Sequence, residues 1–432
     1  MSNLSYPDKF RHIKISSAIV VIISFYGFGT FGFFNIFGIA MPVQMAVTVF
    51  SLMIIFSLIS LRLISEENKT SFLFISFLFT YYGLFLIFST GSILGLINAY
   101  MMWVMAVYLL FVERKYIFFI SKSIIFLSTF SAFLGFYVFY IYSFYPTSFN
   151  YESIDLMSSN TGTSSINPPS VYDYLSFSSG DGYELFGQRL TRVKGFSNEP
   201  STTMVHYLAP AVIGFLYGGR YTLMSMMLIG FIILPVSTVL GILTILMTAV
   251  IYLVMKIKSE FFKNLIVLSG LLLIFLLMSS LDAVLSGIAN FGQDLYSSTG
   301  TDLISRKAGS AESRIISFNE AINSIISNPL GGAGQNSTSG LFIQLGLIGG
   351  IPLILATIVV GIKVYINSNT AFNNHLNLKT RISISMLLSI FLTSFVLSAY
   401  GWDRVSGVII LVILYRHLIE LNKTYSSIKD VK

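Results

Sequence analysis

Apolar runs of bilayer length constrain this chain more than any other feature. A helix needs about 20 mainly apolar residues to cross a membrane. Twelve runs of that kind occur, at 13–34, 39–61, 71–89, 91–111, 117–145, 202–218, 221–235, 236–255, 264–281, 341–361, 382–400 and 405–419. A soluble domain has about 25% charged residues, whereas only 10% of these 432 residues are charged. The mean hydropathy is +0.78. The expected fold is an all-α polytopic membrane protein of about twelve transmembrane helices, one integral membrane domain over 1–432. The pair 221–235 and 236–255 is the tightest, because "LPVST", Leu234–Thr238, must turn at the membrane surface.

Charge orients these spans. Cytoplasmic segments of membrane proteins collect Lys and Arg. With both termini inside, the inner segments hold 19 of the 26 cations and 7 of the 19 anions, a balance of +12. The outer segments keep 7 cations and 12 anions, a balance of −5. A miscounted helix would invert every later loop and blur that split, so both termini are expected in the cytoplasm. The N-terminal "MSNLSYPDKFRHIK" is polar and no small-residue cleavage site follows it, so no cleavable signal is expected. The net charge of +7 is a topological signal and implies no nucleic-acid partner.

Two connections are long, 146–201 and 282–340, and both fall outside. Loops beyond about 15 residues are usually functional or disordered. The first contains the Ser-, Gly- and Pro-rich "NTGTSSINPPSVYDYLSFSSGDG", Asn160–Gly182. The second contains "SRIISFNEAINSIISNPLGGAG", Ser313–Gly334, in which Ile315, Phe318, Ile322 and Ile325 recur at helical spacing. That stretch is too short and too polar on one face to span, and is expected to lie along the outer surface as an amphipathic helix. The absence of Cys removes any disulfide framework or thiolate metal site. No P-loop, dinucleotide, HExxH or GxSxG pattern occurs. No metal, no cofactor and no nucleotide consumption are expected.

The polar run "RVKGFSNEPS", Arg192–Ser201, stands out at the edge of the span 202–218. Arg189, Arg192 and Lys194 are three of the seven outer cations, and they lie within six residues. Such clustering on the cation-poor side points to an anion site. Arg grips a phosphate bidentately and Lys acts as a point charge. Gly195 lets the backbone approach a ligand, and Asn198 adds a neutral polar group. Glu199 falls where the next helix starts, and the helix dipole there favours its ionised form. That carboxylate is either a salt-bridge partner of Arg192 or a general base. His206 follows seven residues later on roughly the same face, either as a packing residue or as a catalytic or proton-relay group. In the second loop Arg306 and Lys307 are cations, and Arg314 opens the amphipathic helix where the dipole disfavours it. A salt bridge to Glu312 is the other reading of Arg314. "NPLGGAGQNS", which includes Asn336, offers backbone N–H groups to an anion. Arg404, in the outer turn "YGWDR", either joins the site or pairs with Asp403.

With these residues assembled, the chain resembles the bacterial O-antigen and capsule repeat-unit polymerases (Wzy type) of the O-antigen polymerase/ligase superfamily. "RVKGFSNEPS", "SRIISFNEAINSIISNPLGGAG" and "LFIQLGLIGGIPLIL" carry the resemblance, together with the layout of two long outer loops. It implies a glycosyltransferase acting on undecaprenyl-pyrophosphate-linked glycan at the periplasmic face of the bacterial inner membrane. A sugar hydroxyl of one lipid-linked repeat unit attacks the anomeric carbon of a growing chain, and undecaprenyl pyrophosphate leaves. A chain-length regulator and a flippase are implied partners beside the bilayer. On this reading Arg192, Lys194 and Arg314 stabilise the leaving pyrophosphate. Glu199 is the first choice of base and His206 the second. O-antigen ligase and lipid-glycan flippase are the alternatives. The ligase branch is expected to place a His near the second loop, and 282–340 has none.

Overall fold

The computed structural model describes residues 11–27, 69–90, 93–144, 182–191, 193, 195, 204–237, 239–259, 261–262, 290, 294, 297–298, 346–375, 377–393 and 405–429. Their helices are α1 (Arg11–Gly27), α2 (Lys69–Thr90), α3 (Ile93–Phe111), α4 (Arg114–Phe144), α5 (Ala209–Tyr217), α6 (Arg220–Phe231), α7 (Val239–Lys256), α8 (Gly346–Asn374), α9 (Leu378–Ile390) and α10 (Val405–Lys429). Ten of the apolar runs singled out above overlap one of these helices in their described residues; 39–61 and 264–281 lie outside the described residues. Among the described residues, two helices are long and apolar enough to cross a membrane, over Arg114–Ile141 and Val405–Lys423. The helix proposed for Ser313–Gly334 also lies outside the described residues.

Helix α4 shows how the sequence builds the bundle. Its 31 residues reach about 46 Å at 1.5 Å per residue, more than the ~30 Å of a hydrocarbon core. One face carries exposed aromatics: Phe126, Phe130, Phe133, Tyr137, Tyr140 and Phe144. The steps of four and three between them are those of a single helix face. The buried side includes the small residues Ser121, Ser128, Ser131 and Ala132 beside Ile124. Small side chains let neighbouring helices come close, and α1, α5 and α6 all pack there. Buried hydroxyls also tie other pairs. Thr244 of α7 donates to Thr393 (2.9 Å), and Ser389 of α9 donates to the Thr244 carbonyl (2.6 Å).

Turns follow from local chemistry. Helix α5 ends at Gly218 (φ 73°), whose N–H donates to the Gly214 carbonyl at 3.1 Å, and Gly219 (φ 55°) starts the next helix. Only glycine adopts two consecutive left-handed positions cheaply. A break between two helices is present within Leu234–Ser237, where Pro235, Val236 and Ser237 are buried; Thr238 lies outside the described residues. A π-helical turn, Ile232–Val236, contains Pro235, and Ser237 is left-handed (φ 45°) before α7 begins. The Asn377 side chain caps α9 by accepting from the Lys379 N–H at 3.0 Å.

Among the described residues, one hairpin departs from the helical architecture. In the first long loop, β1 (Gly182–Leu185) pairs antiparallel with β2 (Gln188–Thr191). Phe186 and Gly187 connect them with φ of 52° and 77°. Two positive φ values in a two-residue connection match the twist of paired strands. The loop composition hides this hairpin, because its strands are only four residues long.

Apart from Arg189 in the hairpin, the cations with described partners gather at one end of the bundle. Arg114 pairs with Glu420 at 3.4 Å. Arg416 donates to the carbonyls of Leu110 and Val112. Lys379 donates to Thr222, and Arg381 to the carbonyls of Phe372 and His375. The ends of α3, α5 and α8 and the starts of α4, α6 and α9 meet there around α10. The hairpin lies at the opposite end, with β2 against α4.

Candidate functional site

The hairpin delivers the chain into the bundle. Leu190 is buried, and Val193 has no exposed surface. The Val193 N–H donates to the Pro235 carbonyl at 2.9 Å. That carbonyl sits in the π-helical turn that closes α6, where helix-end acceptors lack intrahelical partners. The first long loop is thereby tied to the α6–α7 turn.

Gly195 makes the second attachment. It is buried, with φ of 62°. A Cβ at this position would lie 2.8 Å from Tyr207 Cζ, 2.9 Å from Ser131 Oγ, and closer still to Tyr207 Oη. No other residue fits this contact without displacement. Tyr207 is wholly buried and its hydroxyl lies 2.6 Å from Ser131 Oγ of α4. Its ring rests on Phe231 with centroids 4.9 Å apart.

Tyr207 and His206 belong to a π-helical turn, Met204–Leu208, that precedes α5. Turns of this kind re-aim side chains within a helix and recur at functional sites. His206 is fully buried. Its Nε2 lies 3.1 Å from the Phe25 carbonyl. A carbonyl only accepts, so Nε2 carries the proton and, in the neutral ring, Nδ1 holds the lone pair. The ring packs against Phe25 at 5.0 Å and Tyr26 at 6.0 Å. The backbone carbonyl of His206 accepts from Ser128 at 2.6 Å, and Ser128 in turn lies 2.8 Å from the Tyr26 hydroxyl.

Three of the candidate residues therefore have a described place. Arg189 lies in β2, opposite Glu184 in the strand register. Gly195 is seated on Tyr207, and His206 is buried in the adjoining turn. Arg192, Lys194, Asn198, Glu199, Arg306, Lys307, Arg314, Asn336 and Arg404 lie outside the described residues. Among the described residues no group of three or more His, Asp or Glu side chains could hold a metal ion.

Sequence reasoning missed Tyr207 and Ser131. A tyrosine in an apolar run reads as packing. The available signal was the spacing of Ser121, Ser128 and Ser131 in a mainly aromatic and aliphatic helix, which marks one polar face at steps of seven and three.

Compared with protein-family models, curated proteins and solved structures, the chain matches none.

Proposed function

We propose that this chain is a membrane glycosyltransferase that polymerises undecaprenyl-pyrophosphate-linked oligosaccharide repeat units into O-antigen or capsular polysaccharide. On this reading it crosses the bacterial inner membrane about twelve times with both termini inside. The cation-rich end of the bundle is cytoplasmic, and the hairpin end faces the periplasm. The outward aromatic face of α4 meets lipid. The observation that carries the reading is the docking of the segment around Val193 and Gly195 onto the end opposite the structural cations. In sequence, Arg189, Arg192 and Lys194 alternate with the anchors Leu190, Val193 and Gly195. A cation cluster interleaved in sequence with these anchors, on the cation-poor side, suits a lipid pyrophosphate.

The chemistry needs no nucleotide, because the donor already carries a pyrophosphate leaving group. The acceptor hydroxyl attacks the anomeric carbon of the donor chain. The new C–O bond forms as the bond from that carbon to the pyrophosphate oxygen breaks. The hydroxyl proton passes to Glu199, and the negative charge on the departing undecaprenyl pyrophosphate meets Arg192, Lys194 and Arg314. Donors fixed in advance stabilise developing charge without reorganising at the moment of reaction.

The test is reconstitution of the purified chain with a lipid-linked repeat unit. Lengthening of the lipid-linked glycan is the expected result. Transfer only to a lipid A core acceptor would make the chain a ligase, and movement between leaflets without new glycosidic bonds would make it a transporter.

A further inference from the structure

We infer that Arg220 and Lys379, at the starts of α6 and α9, form a docking surface for one anionic phospholipid of the inner leaflet. Its phosphate lies between the two cations, and an acyl chain follows the outward face of α6. The inference rests on the membrane-crossing reading above and not on the glycosyl transfer. Neighbouring cations at this end are committed elsewhere. Arg114 pairs with Glu420 and Lys115 with Glu113, while Arg416 and Arg381 bond to carbonyls at helix ends. Among the described residues, no carboxylate forms an ion pair with Arg220 or Lys379.

Two contacts bring these cations to one turn. Lys379 donates to Thr222 in the first turn of α6, and its Nζ lies 3.5 Å from where a Cβ on Gly218 would stand. Arg220 is exposed, with its guanidinium 5.2 Å over the Tyr221 ring and a bond of 3.3 Å to that hydroxyl. A Cβ on Gly219 would meet nothing within 4 Å, so the turn beside the cations is open. A cation at a helix start opposes the helix dipole, so neither charge serves its own helix. The apolar half of the surface follows at helical spacing. Leu223 and Met226, three and six residues beyond Arg220, are 74% and 59% exposed, and Ile233 and Leu234 continue that face. In α9, Leu378 and Ile382 beside Lys379 are exposed as well. Two cations above an apolar stripe match a phospholipid better than a soluble anion. Uncompensated positive charge selects a net negative headgroup over a zwitterion.

The full chain, purified in detergent, is titrated with phosphatidylglycerol, with phosphatidylcholine of the same acyl chains, and with inorganic phosphate. Native mass spectrometry counts the bound lipid. The wild type should retain one phosphatidylglycerol about tenfold more tightly than phosphatidylcholine, the effect of two surface cations. The double variant Arg220→Gln, Lys379→Gln should lose that preference. The double variant Lys115→Gln, Lys256→Gln, which removes the same charge at the same end, should keep it. Leu223→Asn with Met226→Asn should weaken both phospholipids by about tenfold and leave the preference intact. Should the first double variant fail to fold, Arg220→Gln alone, at an exposed position, carries the test with about a threefold loss of preference. No preference in the wild type overturns the inference. So does an equal loss in the two charge variants, which would make the attraction diffuse. Displacement of phosphatidylglycerol by equimolar inorganic phosphate overturns the lipid as occupant. Recovery of the chain from cells without detergent overturns the membrane reading itself, and the inference with it.

Discussion

His206 and His417 are both buried, with 0% and 5% of their surface exposed, and their surroundings meet α4 at Ser128 and Ser121, two helical turns apart. Around His417, polar side chains bind other side chains or close helix ends. Its Nε2 lies 2.9 Å from Ser121 Oγ and 3.2 Å from the Tyr217 hydroxyl. Arg416 beside it fills the carbonyls that end α3. Around His206 the polar groups serve backbone in the last turn of α1, in a π-helical turn and at Gly195. His206 binds the Phe25 carbonyl, Ser128 binds the His206 carbonyl, and Tyr207 meets the Gly195 backbone. The first cluster is a clamp between helices and the second a mount for a non-helical segment. A cluster that closes helices needs nothing beyond the bundle. A mount implies that what it holds must stay in one place.

The widest gap between the two ends should appear in polymer formation. Arg192→Ala and Arg314→Ala should each abolish long polymer at normal membrane levels, read on glycan gels beside immunoblots. Lys replacements should rescue poorly, because the planar fork is lost. Lys379→Ala and Arg381→Ala, at the clamp end, should leave polymer length unchanged. Normal polymer from both outer variants would remove the distinction between the ends.

Glu199→Gln should lower the rate by at least ~100-fold, the low end for loss of a general base. Binding of the lipid-linked unit should persist. Full activity would pass the base role to His206 or to no side chain. Loss of binding together with activity would give Glu199 a positioning role.

Stability should separate the two histidine environments by a smaller margin. His206→Ala removes a bond to a backbone carbonyl and a ring packed on Phe25 and Tyr26, and should cost about 3 kcal/mol. Ser121→Ala removes one of two hydroxyls at His417 and should cost about 1 kcal/mol or less. Equilibrium unfolding in detergent measures both. Lost activity in His206→Ala without lost stability would make His206 catalytic.

The helices were legible in sequence, since the apolar runs that mark a bilayer also mark most of their length. Their ends were less so. The run 341–361 is the apolar part of a helix that continues to Asn374, and 405–419 of one that continues to Lys429. Hydropathy reports where apolar surface is needed and is silent once a helix leaves it. The turn at Pro235 was visible because proline removes a donor from the helix ladder. The basic segment was visible by its charge. Its mount was not, because Tyr207 and Ser131 are ordinary within apolar helices and acquire meaning only when Gly195 is brought onto them from outside the bundle.

Where a pyrophosphate lipid binds tests the account most directly. An undecaprenyl pyrophosphate analogue with a photoreactive diazirine beside the pyrophosphate can be cross-linked to the full chain in nanodiscs and mapped by mass spectrometry. The account predicts adducts within residues 189–201, displaced by unlabelled lipid-linked repeat unit and diminished by Arg192→Ala. Adducts confined to the cation-rich end, around Arg220–Thr222 and Lys379–Arg381, would contradict it.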